Sequence, residues 1–289
     1  SDCPTGTPRA RVSPPCSRTS PRTLSGFTTD WLALREPADE LARAGALVKA
    51  FVSSPGAALQ VVDLGAGTGA NLRYLAPRLG GPQEWLEVDS DPTLLGALAA
   101  RPAPAGTRVR TLRLDLAHDL DALPLDRNDL VTAAALLDLV SATWLARLAA
   151  RCAAARADVL FALTYDGRIE WSPAEDGDAR IRALVNAHQR TDKGFGPALG
   201  PAAAAEAERT FARLGYRMRS ARSDWRLGTE SRALQAALVD GWVGAAIEIA
   251  PREANALEDW RRRRRAHLAA GASRLCVGHL DLAGKLRSR

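Results

Sequence analysis

The sequence predicts an α/β fold built on a mostly parallel seven-stranded sheet with helices on both faces, and three observations predict it. Short apolar runs rich in valine and leucine alternate with stretches of helical periodicity from residue 59 onward. A glycine-rich turn, Gly65, Gly67 and Gly69, stands between the first of these runs and the helix that follows it. Late in the chain two more strand-like runs are divided by long helical stretches, which suits an added antiparallel edge strand.

Bulk properties set the frame. The 289 residues are 46% hydrophobic, enough to bury a full core in one elaborated unit. The net charge of +6 rests on 39 basic and 33 acidic residues spread along the whole length, a mild bias that does not by itself call for a nucleic acid. Cys3, Cys16, Cys152 and Cys276 are too scattered for a disulfide framework or a metal-binding pair. A reducing, cytoplasmic setting and no metal site are therefore expected. No run of about 18 apolar residues occurs, so neither a membrane span nor a membrane partner is expected.

Taken in order, residues 1–25 are rich in Pro, Ser, Thr and Arg and read as a disordered tail. Residues 26–289 read as one domain. Its first part, 26–56, carries helical spacing through Trp31, Leu34, Leu41, Leu47 and Phe51, stopped at Ser53-Ser54-Pro55-Gly56. Residues 57–165 read as a ligand-binding core, with strands at 59–64, 84–88, 108–114, 129–134 and 159–164 and helices at 71–79, 93–100 and 144–155. Residues 166–289 read as a lid with one short helix at 178–188, then a helix at 202–214, a strand at 216–225, inserted helices at 231–249 and 253–270, and a closing strand at 274–282. The inserted helices offer a surface through which two copies can pair as a homodimer.

The glycine turn lets backbone approach a ligand closely and presents the unpaired N–H groups of a helix start. Spacing alone leaves its owner open, since Gly65-x-Gly67-x-x-Ala70 also satisfies a dinucleotide fingerprint. Asp63 bears on the choice. A carboxylate two residues before the first glycine repels a pyrophosphate, but suits a ligand that carries an amino group and a sulfonium.

Residues 61–69, VVDLGAGTG, resemble the first motif of the class I S-adenosylmethionine-dependent methyltransferase family, and the likeness extends over about residues 58–165. The resemblance implies a Rossmann-like methyltransferase fold with S-adenosylmethionine as cofactor, its methionine part wrapped by Asp63, Gly65, Ala66, Gly67 and Gly69. Residues 85–92, WLEVDSDP, resemble the family's second strand, which implies that Asp89 takes both ribose hydroxyls with Ser90 beside it. By the same resemblance Asp115 and Leu116 face the adenine and Ala134 ends the fourth strand at the cofactor.

Methyl transfer from a sulfonium needs alignment and exclusion of water more than a strong base. Acceptors approach over the carboxyl ends of the strands, near the loops after the fourth and fifth. There Tyr165 and Asp166, with His188, are candidate catalytic groups, and Asp138, Arg168, Lys193 and Trp225 are candidate acceptor contacts. Residues 186–196, NAHQRTDKGFG, are the densest cluster of reactive side chains outside the glycine turn and are expected to close over the acceptor. The expected substrate is a small molecule. Structured RNA stays an alternative partner because of the arginine run 261–265, as does a non-catalytic binding module on the same fold.

Overall fold

In the computed structural model, which describes residues 27–51, 58–125 and 130–286, the apolar runs form the strands they predict. Strands β1 (Leu59–Leu64), β2 (Gln83–Asp89), β3 (Thr107–Arg113), β4 (Leu130–Ala134) and the first part of β5 (Asp158–Ser172) lie parallel, in the order β3-β2-β1-β4-β5. Helices α3 (Ala70–Leu79), α4 (Pro92–Ala99) and α5 (Ala142–Ala154) lie on the connections between them. Next to β5 comes β8 (Arg274–Leu286), antiparallel to it. The last position is shared by β6 (Tyr216–Arg222) and β7 (Trp225–Leu227), which pair with residues 280–286 and 275–277 of β8. Eight strands therefore fill seven positions, and the antiparallel β8 lies one place in from the edge.

Register decides where the functional end of the sheet falls. Leu64 lies opposite both Val88 and Ala133, so Gly65, Asp89 and Ala134 emerge together at the carboxyl edge.

Two elements depart from the sequence expectation. Strand β5 does not stop near residue 164 but runs on to Ser172, so residues 166–172 belong to the sheet and not to a loop. Ile169 and Trp171 find partners there, opposite Val277 and Leu275 of β8, after register shifts that absorb residues 162–163 and 166–168. The single strand expected at 216–225 is broken in two. At the break Asp224 accepts from the Nη1 and Nη2 of Arg168, at 3.2 and 2.6 Å, and the Ser223 N–H bonds the carbonyl of His279. The expected tail at 1–25, with Cys3 and Cys16, and the breaker at 53–56 lie outside the described residues, as does Asp129 at the start of the fourth expected strand.

Packing splits between the two ends of the sheet. Helix α5 starts on Ser141, whose Oγ accepts from the Trp144 N–H at 3.2 Å, and lays Trp144, Leu145, Leu148, Ala149 and Cys152 against β4 and β5. Helix α7 (Ala203–Arg213) completes this layer through Ala207 and Phe211. At the other end, α6 (Asp178–His188), α8 (Arg232–Ile249) and α9 (Ala254–Ala269) cover the extended part of β5 with β7 and β8. Trp171 sits edge-on between Trp242 and Trp260, at 5.6 and 5.4 Å. Helix α1 (Thr29–Ala42) packs on the same cluster, and α2 (Gly45–Val48) packs behind β1 with α3.

The arginine run lies on α9. Arg264 is buried and forks onto Asp178, while Arg261, Arg262, Arg263 and Arg265 pair with Glu258, Asp259, Glu175 and Asp240. These guanidinium groups serve intramolecular pairs, and the five point around more than one turn. Among the described residues no helix is long and apolar enough to cross a membrane.

Candidate functional site

The turn after β1 is built for close backbone approach. Gly65 and Gly67 take φ values of +66° and +56°, a region that side-chain-bearing residues rarely adopt. A Cβ on Gly67 would also stand 3.2 Å from Leu32 Cδ1 of α1. The Gly67 N–H donates to Asp89 Oδ2 at 2.8 Å, and the Asp91 N–H to Asp89 Oδ1 at 3.0 Å, so the carboxylate at the end of β2 is fixed from both sides. Bare backbone and this oriented acid form one wall of an open cleft. Ser90, Leu94, Leu114, Leu116, Ala134 and Phe195 contribute to the remainder.

Asp63 does not face that cleft. It is 1% exposed and lies under the turn, where its Oδ1 accepts from Asn71 Nδ2 at 2.7 Å. The same Nδ2 reaches Thr132 Oγ1, and Asn71 Oδ1 accepts from Arg43 Nη1 at 2.9 Å. Arg43 in turn faces Asp281 of β8, which accepts from the N–H groups of Ala44 and Leu163 at 2.9 and 2.8 Å. Burial pushes Asp63 up to about 7, against the pull of the Asn71 hydrogen bond and the Arg43 charge. Glu87 on β2 stands beside it, driven well above the ordinary carboxyl range by burial and by Asp63. Asp63 therefore meets the cleft only through Asn71, which does line it.

A second cavity adjoins the first. Phe27, Arg35, Ala135 and Leu139 line both. Deeper in stand Trp31, Trp225, Trp242, Tyr165, Asp138 and His279. Arg35 forks onto Asp39 at 2.9 and 3.1 Å and lies 5.0 Å from the Trp225 ring centre, and the Trp225 Nε1–H reaches Asp39 as well. Burial lifts Asp138 to about 6, opposed by its own backbone N–H and the Arg35 charge. Burial, followed by the Arg35 charge, drops His279 to about 3, so its ring is neutral near pH 7.

The structure thus gathers part of the expected set and scatters the rest. Gly65, Ala66, Gly67, Asp89, Ser90, Leu116 and Ala134 border the cleft, and Asp138, Tyr165 and Trp225 border the second cavity. Gly69 takes φ +80° and caps α3 behind them. Asp115 turns away, its carboxylate bonded to His118 at 2.9 Å and to the Ala117 N–H. Asp166 and Arg168 are tied to each other and to Asp224 in the β5 bulge. His188 pairs with Glu248 at 3.1 Å, and Lys193 leans on His188 and Thr191. The 186–196 segment borders the cavities through other members, Gln189 and Phe195.

Sequence reasoning missed Asn71 and the cavity face of α1. An Arg35–Asp39 pair at i, i+4 set into an apolar stripe was the available signal, since a paired ion on a buried face has something to serve.

Residues 61–157 match a family profile described as a methyltransferase domain. No curated protein matches the chain. Among solved structures, the chain is similar to the cyclopropane synthase MmaA2 from Mycobacterium tuberculosis, at 13% identity over 89% of this chain and 94% of that one, TM-score 0.48. It is also similar to geranyl diphosphate C-methyltransferase from Streptomyces coelicolor A3(2), at 15% identity over 84% and 76%, TM-score 0.45. A third is phosphoethanolamine N-methyltransferase 2 from Haemonchus contortus, at 13% identity over 91% and 61%, TM-score 0.42. Likeness this loose fixes neither an acceptor nor the role of a residue. The match to a methyltransferase domain falls on the stretch that carries the glycine turn, the Asp89 carboxylate and the rim after β4.

Proposed function

We propose that the protein moves the methyl group of S-adenosylmethionine to a small-molecule acceptor held in the second cavity, with the cofactor in the cleft over the glycine turn. The observation that carries this reading is the shared wall: Phe27, Arg35, Ala135 and Leu139 border both spaces, so a methyl donor in one meets an acceptor in the other without crossing bulk water.

The residues fit the cofactor in four respects. Asp89, held by two backbone N–H groups, still has carboxylate lone pairs to receive a ribose diol, and Ser90 adjoins it. Gly65, Ala66 and Gly67 admit the methionine chain against bare backbone, with Gly69 shaping the helix start. Arg35 spends one edge of its guanidinium on Asp39, and its other N–H groups suit a carboxylate. Leu116 and Leu114 offer apolar contact to a purine ring, and Ala134 leaves room beside them. The bound cofactor supplies an electrophilic methyl whose sulfur departs without charge. The protein aligns the acceptor, keeps water out with the Phe195 and Leu139 side chains, and needs no strong base. A reducing, cytoplasmic setting accords with free Cys152 and Cys276.

Calorimetry with S-adenosylmethionine, S-adenosylhomocysteine and NAD side by side tests the cofactor assignment, and only the first two should bind. Asp89→Ala removes the ribose acceptor and the Gly67 support together. It should weaken S-adenosylhomocysteine about 100-fold, the effect of two charge-assisted hydrogen bonds. Equal binding of NAD, or an unaffected variant, rejects the assignment.

A further inference from the structure

Three polar groups of the second cavity, Asp138, His279 and Trp31, are not hydrogen-bonded to one another and each keeps an open atom. Asp138 lies on the short turn after β4, between Leu137 and Leu139, beside the wall common to both spaces. It is only 7% exposed, and its Oδ1 has no hydrogen-bond partner among the described residues, although backbone N–H groups of Asp138 and Tyr165 serve the carboxyl. His279, 6% exposed, has an unpartnered Nδ1, and Trp31 an unpartnered Nε1. A buried polar atom without a partner costs free energy unless a ligand supplies the missing bond.

Charge narrows what that ligand can be. Among the residues lining the cavity, Arg35, Asp138 and His279 are the ones whose charge matters near neutral pH. Arg35 is balanced by its fork on Asp39 and, in the methyl-transfer reading, gives its remaining N–H groups to the carboxylate of the cofactor, while His279 is uncharged. The Tyr165 hydroxyl donates to Asn186 Oδ1 at 2.7 Å and so is already committed. Asp138 is left as the one unbalanced carboxylate, facing aromatic walls whose ring faces attract positive charge. A carboxylate or phosphate on the acceptor would meet this acid with no free cation in the lining to answer it. A hydroxyl acceptor must shed its proton to become a good nucleophile, and Asp138 is a weak base for that task. A neutral amine already carries its lone pair and offers an N–H to the open oxygen.

We propose that the acceptor taken by this cavity is an amine on an aryl or hydrocarbon frame: Asp138 receives its N–H, Trp31, Trp225 and Trp242 enclose its frame, and nitrogen is the atom methylated. This rests on the methyl-transfer reading above. An alkylamine enters as its ammonium and first gives one proton through the Asp138 carboxylate to water; the freed nitrogen lone pair then forms the new N–C bond while the methyl–sulfur bond breaks with its electron pair on sulfur. The proton then in excess on nitrogen passes to the Asp138 carboxylate and on to water.

The test is calorimetry on the full chain saturated with S-adenosylhomocysteine, which binds but cannot react. Matched probes share a frame and differ in one group: phenethylamine, 2-phenylethanol and 3-phenylpropionate, with the corresponding indolyl and hexyl series. The amine of at least one frame should bind about tenfold or more tighter than its alcohol and carboxylate. Asp138→Asn should erase that preference while leaving S-adenosylhomocysteine affinity unchanged. With labelled S-adenosylmethionine the preferred amine should then carry label on nitrogen. Equal or better binding of alcohols or carboxylates overturns the proposal in the unaltered protein, whatever the variant does. So does failure of every amine to bind, or a preference that survives in Asp138→Asn. Failure of S-adenosylhomocysteine itself to bind is a separate result, and strikes the methyl-transfer reading instead.

Discussion

Two buried polar regions lie within one sheet of each other and are built on opposite principles. Beneath the glycine turn, Asp63, Asn71, Thr132, Arg43 and Asp281 form a connected chain in which each side chain has at least one partner, although Asp63 Oδ2 and Arg43 Nε make no hydrogen bond. In the second cavity, Asp138, His279 and Trp31 each keep an atom that nothing in the described protein satisfies. The first arrangement locks β1, α3, β4 and β8 to the α1–α2 junction, and its value is rigidity. The second leaves its open atoms unlinked to one another, on the wall of a cavity that a ligand can enter. The contrast teaches where to look for a ligand: at polar groups left open, rather than where polar groups are most numerous.

The contrast can be broken most forcefully at Arg43. Its side chain is 3% exposed and faces a comparably buried Asp281. Arg43→Met strands that carboxylate and the Asn71 oxygen, and should cost about 3–5 kcal/mol in denaturant unfolding. A loss below about 1 kcal/mol would show that the chain under the turn is ornamental.

A smaller effect follows from acidity. Asp63 holds its proton up to about pH 7 in the folded protein against 3.8 ordinarily, so the native state keeps a proton that the unfolded chain releases. Its contribution to stability is full below about pH 4, declines as pH climbs, and is gone above about 7. Asp138, lifted to about 6, has the same sign, while His279, lowered to about 3, acts oppositely between about 3 and 6.5. Comparing Asp63→Asn with the parent isolates the first term. Between pH 5 and 7 the variant's stability should fall less steeply, by up to about 1.4 kcal/mol per pH unit. Parallel curves would mean that Asp63 is ionised throughout.

The smallest change is expected at the open region. His279→Phe removes the unpartnered Nδ1 and keeps the ring contacts with Tyr165 and Trp225, at 6.1 and 5.0 Å. Thermal unfolding without acceptor should place it within about 1 kcal/mol of the parent. A loss as large as that of Arg43→Met would erase the distinction between the two regions.

Much of the fold was legible because its strands are buried on both faces and so announce themselves as continuous apolar runs, as at Val61-Val62. Helix α6 was also legible, down to Asp178 and His188, because Gly177 precedes it and Ile181, Leu184 and Val185 share one face. The far half of β5 was not, since Asp166, Gly167 and Arg168 sit in a bulge and look like a turn when read along the chain. Within the site, backbone features were legible and side-chain convergence was not. Glycines and the Asp89 carboxylate act at fixed places relative to β1 and β2. His188 and Lys193 drew attention by type, yet His188 pairs with Glu248, and Lys193 with His188 and Thr191. The cleft-lining Leu32 and Arg35 were not singled out, because periodicity shows that a helix has an apolar face without saying which end of the sheet that face covers.

Strand β8 is made after every other strand described, and Asp281 on it reaches back 237 positions to the Ala44 N–H. On a ribosome the glycine turn and the Asp89 carboxylate can take shape early from local contacts, whereas the His279 and Val277 wall arrives only with this final strand. Biosynthesis therefore runs in a fixed direction, from the half that carries the glycine turn to the half that completes the second cavity. A chain interrupted near residue 270 would lack the Asp281 carboxylate that holds Arg43 and the Ala44 N–H at the end of the first helix.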